Sequence, residues 1–186
     1  MIIASQKRKE NVAEYLLYMW QIEDIIRAYD LDINKIRANV IDAFPGLSTD
    51  ARKEMEDWYE SLMDMMRREG VEKSGHLQIN KNMLLQLVNL HQALLRDPRF
   101  PDYTAAFYKT LPYIVELRSK SGEKKEGEIE TCFNALYGML LLRLRQKEIT
   151  PDTQAAITQI SQFIALLTKS FHLDEDNKLF PEDTDK

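Results

Sequence analysis

Apolar residues recur along this chain at helical spacing, and most of its glycines and prolines fall between the periodic stretches. The first stretch predicts a helix over about Gln6–Tyr29, with Val12, Tyr15, Leu16, Met19, Ile22 and Ile26 on one stripe. Leu17, Tyr18, Trp20 and Ile25 extend that stripe almost around the circumference, so the helix belongs at the centre of a bundle or at an interface. A short second helix follows Asp32, with Ile33, Ile36, Val40 and Ile41 together, and Phe44-Pro45-Gly46 ends it. A third starts at Ser48-Thr49-Asp50, all good N-cap types, and closes at Gly70. Residues 71–79 read as a connection, and a fourth helix follows from Asn80 to about Arg96. A fifth spans about Pro101–Ser119, with Pro112 inside it to kink or split it. After a polar loop, 120–127, come a sixth helix over Glu128–Gln146 and a seventh beginning at Thr150-Pro151, an N-cap residue followed by proline. No segment alternates as a strand does. The pattern therefore predicts an all-α fold, a single-domain bundle of six or seven helices with the N-terminal helix central. The bundle spans residues 1–173, and residues 174–186 form an acidic flexible tail.

Composition narrows the function classes. A net charge of −5 argues against a globally basic nucleic-acid binder. One cysteine, Cys132, excludes an intrachain disulfide and a cysteine-based zinc cluster. The longest apolar run, Met139 to Leu142, is far too short to span a bilayer, and the apolar stub before Lys7-Arg8-Lys9 lacks the order of a secretory signal. The expected location is the cytoplasm, with no membrane and no nucleic acid as partner. Recognisable catalytic signatures are missing: no Gly-x-Ser-x-Gly, no Walker loop, no Gly-x-Gly-x-x-Gly and no His-Glu-x-x-His. Lys73, Val88 and Lys169 stand three before the histidines, so the Glu-x-x-His pairs of a di-iron bundle are absent too. The expectation is no cofactor, no metal and no catalytic residue.

A few polar side chains sit where an apolar one is expected. Glu23 falls among Leu16, Met19, Trp20 and Ile26, where a carboxylate is costly unless paired. Arg27, one turn on, is one partner in reach. Arg37, placed among Ile33, Ile36, Val40 and Ile41, is another. The alternatives are a Glu23 ion pair tying two helices together, a polar floor to a pocket lined by Tyr15, Tyr18 and Trp20, or a carboxylate reaching solvent at a bundle edge. His91 lies on the stripe of Leu84, Leu87, Val88, Leu94 and Leu95, as a hydrogen-bonded core histidine or as a pocket group. The candidate polar cluster is thus Tyr15, Trp20, Glu23, Arg27, Arg37 and His91. Aromatics and cations from Arg96 to Tyr113 could stack a nucleotide, but at that spacing they read better as core.

The run from Ile3 to Ala28, and within it Tyr15-Leu16-Leu17-Tyr18-Met19-Trp20-Gln21, resembles the opening of a Bacteroidetes family, the domain of unknown function number 4924. Length and the acidic C-terminal end are also similar. The resemblance implies a small bacterial helical protein and supplies no activity, cofactor or catalytic residue. The functional expectation is a non-catalytic helical interaction or structural protein, with a second copy or another protein as partner. The alternative is a small-ligand-binding or regulatory module with a pocket near the first helix.

Overall fold

A computed structural model describes residues 2–120 and 126–180. Every regular element among them is helical: α1 (Ile2–Glu10), α2 (Val12–Ala28), α3 (Ile33–Ile36) running into a π-helical turn (Arg37–Ile41), α4 (Thr49–Glu69), α5 (Gln78–Arg96), α6 (Pro101–Lys120), α7 (Glu128–Leu144) and α8 (Pro151–Glu175). The all-α class is as the sequence predicts. The helix count is higher because the first stretch is two helices. Asn11 interrupts it, its side-chain oxygen accepting from the Ala13 N–H at 3.1 Å and capping the start of α2. Short polar side chains set the other starts in the same way. Asp32 accepts from the Asn34 and Lys35 N–H groups, Ser48 from Ala51, and Thr150 from Thr153. Gly70 ends α4 in the left-handed conformation, φ 66°, where a side chain would be strained. Pro112 does not split α6, which continues through it.

Internal packing divides the chain into two compact units, one of residues 1–10 and 14–83, the other of residues 11–13 and 84 onward. In the first, Met19, Ile22 and Ile26 of α2 pack with Ile36, Ile41, Tyr59, Leu62, Met63 and Met66 into one apolar core. Along α2 only Glu14 and Ala28 are exposed, which gives that helix the near-absence of a solvent face read from its sequence. In the second unit α6, α7 and α8 pack against one another. Phe133, Phe163, Ile114, Ile160 and Leu167 are fully buried there, as is the lone Cys132. Burial pushes the Cys132 thiol up to about 12.

The segment expected as a tail from residue 174 is helical at its start, since α8 runs to Glu175. Leu179 is buried and the Phe180 ring packs edge-on against Phe100. Residues 181–186 lie outside the described residues.

Candidate functional site

α2 presents two nearly opposite faces. At 100° per residue, Tyr18, Gln21, Ile22 and Ile25 point one way, and Trp20, Glu23 and Arg27 the other. The two faces do different jobs.

The Glu23 face holds the connection between α4 and α5. Glu23 has no exposed surface. Its Oε1 accepts from the Leu77 N–H at 2.9 Å and from Asn80 Nδ2 at 2.6 Å. Its Oε2 lies 2.6 Å from His76 Nδ1, within hydrogen-bond distance. The His76 ring stacks on Trp20, centroids 4.2 Å apart and planes within 16°. Arg27 works one turn on. It donates to the carbonyls of Val71, at 3.2 Å, and Gly75, and pairs with Asp24 at 2.9 Å. Two polar side chains of one helix thereby satisfy two carbonyls and one amide of a loop that has no regular structure of its own. Gly75, at φ 88°, lets its carbonyl turn toward Arg27.

Glu23 therefore pairs with neither arginine considered from the sequence. Arg37 lies on the π turn and binds both carboxylate oxygens of Glu56 on α4, its Nε at 3.0 Å. Arg27 turns to the loop. Tyr15 is half-buried, and burial raises its phenol above the ordinary value against the opposing pull of Arg8, with Glu23 adding to the rise. His91 belongs to the second unit. It is buried, with Nδ1 2.8 Å from the Tyr103 hydroxyl, and its ring lies edge-on to Phe107 and Phe163. Burial lowers its pKa, with Glu128 opposing. The six candidates do not converge. Tyr103 and Phe107, weighed as stacking groups, are core residues of that same cluster. His76 and Asn80 were not singled out in the sequence, because nothing local marks a partner more than 50 positions from Glu23, and neither was Glu56, nineteen positions from Arg37.

The opposite face of α2 lines a pocket of about 380 Å³. Tyr18, Gln21, Ile22 and Ile25 form one wall, and Ala51, Glu54, Met55, Trp58 and Tyr59 of α4 the facing one. Ile3 of α1, Val40 of the π turn, and Phe44 and Leu47 of the following loop complete it. Both helical walls follow the i, i+3, i+4, i+7 rule. The π turn, closed by the Asp42 N–H on the Arg37 carbonyl at 2.9 Å, sends Ile36 and Ile41 into the core and leaves Val40 at the pocket. The loop wall is pinned by Arg52, which pairs with Asp42 at 2.6 Å and donates to the Leu47 and Phe44 carbonyls at 3.4 and 3.5 Å. Trp58 lies parallel to Tyr18, 6.5 Å between centroids, and edge-on to Tyr59 at 5.3 Å. Burial raises the pKa of both tyrosines, so their phenols keep their protons. The pocket weighed as an alternative from the sequence had Glu23 as its floor and Tyr15, Tyr18 and Trp20 as its lining; of these four only Tyr18 lines the pocket described here.

The sequence profile described as Domain of unknown function (DUF4924) matches residues 1–178. The chain belongs to the DUF4924 family. The match takes in the first unit, the second as far as residue 178, and the whole of the Tyr15–Gln21 stretch. No curated protein and no solved structure matches the chain. Among the described residues of this DUF4924 chain, no group of three or more His, Cys, Asp and Glu could hold a metal ion. None of its described helices is long and apolar enough to cross a membrane.

Proposed function

We propose that this DUF4924 protein is a non-catalytic cytoplasmic binding module that holds a small molecule with a largely apolar body in the pocket between α2 and α4. The observation that carries this reading is the pocket itself. It has the volume of a ligand site, walls of aliphatic and aromatic side chains, and few polar groups. Its walls come from rigid helices and its loop is tied down by Arg52, so little order has to be created on binding. The Glu23 network is assigned a structural role, because its carboxylate is already engaged by the Leu77 N–H, the Asn80 amide and His76. A second reading, a protein-contact surface, rests on Leu142 and Leu144, exposed at the end of α7.

Native mass spectrometry of gently purified protein separates the two. An added mass of a few hundred daltons that leaves on denaturation, and that is lost in Ala51→Phe, supports the pocket reading. Ala51 lines the pocket, so the ring fills it. A clean mass at two chains, with nothing bound and insensitive to Ala51→Phe, favours the protein-contact reading.

A further inference from the structure

The charge layout of the pocket says which molecules suit it. Among its described lining residues there is one carboxylate, Glu54, and no lysine, arginine or histidine. Two arginines on the elements that line it are spoken for. Arg37 is held by Glu56 and Arg52 by Asp42. The start of α4, which would otherwise favour an anion, is capped by Ser48 and carries Asp50 in its first turn. Glu54 and Gln21 have no hydrogen-bond or ion-pair partner among the described residues, so both are available to a ligand. The rings of Tyr18, Trp58 and Tyr59 offer π surfaces of the kind that attract a cation.

We propose that the pocket selects an amphiphile with an apolar body and a cationic nitrogen head, with Glu54 and the aromatic rings reading the charge. An organic anion such as a fatty acid is disfavoured, because no described lining group neutralises it. This rests on the pocket reading above and adds the ligand's chemical class.

The test uses three probes of equal chain length below their micellar range: decyltrimethylammonium, 1-decanol and decanoate. Binding to the intact chain is followed by calorimetry at low ionic strength. The expected order is ammonium, then alcohol, then carboxylate. One solvent-exposed charge contact separates the first two by about threefold to fivefold. Glu54→Gln removes most of that separation and leaves the alcohol's affinity within about twofold. Added salt narrows the order in the same direction. If decanol binds and Ala51→Phe abolishes it, but decanoate binds as well as the ammonium or Glu54→Gln changes nothing, the charge selection is wrong and the pocket reading stands. If decanol does not bind, or binds equally to Ala51→Phe, both fall.

Discussion

Replacing Glu23 by alanine should be among the most destabilising single changes in the first unit. The side chain has no exposed surface, and two of the donors it satisfies are buried with it: the Leu77 N–H and the Asn80 amide. A buried donor that loses its partner costs roughly 1–3 kcal/mol. Asn80 Oδ1 has no partner of its own, so Glu23 is what holds that side chain. His76 is about one-third exposed and can turn to water, so its share is small. Two buried donors give about 2–6 kcal/mol, a large part of a total stability that is typically about 5–15 kcal/mol. Glu23→Gln keeps an acceptor for Leu77 and Asn80, and a neutral acceptor is weaker than an ionised one by about 1 kcal/mol per bond, so about 1–2 kcal/mol is expected there. Urea unfolding at pH 7, followed by far-ultraviolet circular dichroism, measures both variants against wild type. Hydrogen exchange should show residues 71–77 losing protection first in the alanine variant. An alanine cost below about 1 kcal/mol, or equal costs for the two variants, would refute the claim that this carboxylate holds the α4–α5 connection.

Two further outcomes concern the second unit. His91 is held neutral by burial, so its folded pKa lies below the unfolded one, near 6.5. The unfolded chain then takes up a proton that the folded chain refuses, and stability falls as pH drops below about 6.5. The advantage of wild type over His91→Phe, read as a difference in urea midpoint, should shrink from pH 7.5 to pH 5.5; a constant difference would contradict the assignment. Cys132 is buried with its thiol pushed up to about 12, so a thiol reagent at pH 8 should label it only as fast as the protein unfolds. Complete labelling within the mixing time of a folded sample would show that its packing is wrong.

Much of the helical plan was legible because its determinants are local. Ser48, Thr150-Pro151 and Gly70 act within one turn of themselves, and the apolar circumference of α2 is a property of seventeen consecutive residues. Even there a local rule was missed: Asn11, between the charged run at 7–10 and the stripe that begins at Val12, caps a new helix instead of continuing the old one. The oddity of Glu23 was legible too, since a carboxylate in that stripe must be paired. Its partners were not. They sit 53, 54 and 57 positions away, and one of them is a backbone amide that no side-chain pattern announces. Arg37 shows the same limit, as its stripe placed it inside while the π turn brings it to Glu56, nineteen positions on. The sequence by itself determined that this is an all-α chain with an almost wholly covered α2 and an unusual carboxylate in it, because helix formation and amphipathicity are short-range. Only the tertiary structure decided that Glu23 closes a loop and that the other face of α2 forms a pocket with α4, because each needs groups that meet only when distant segments pack.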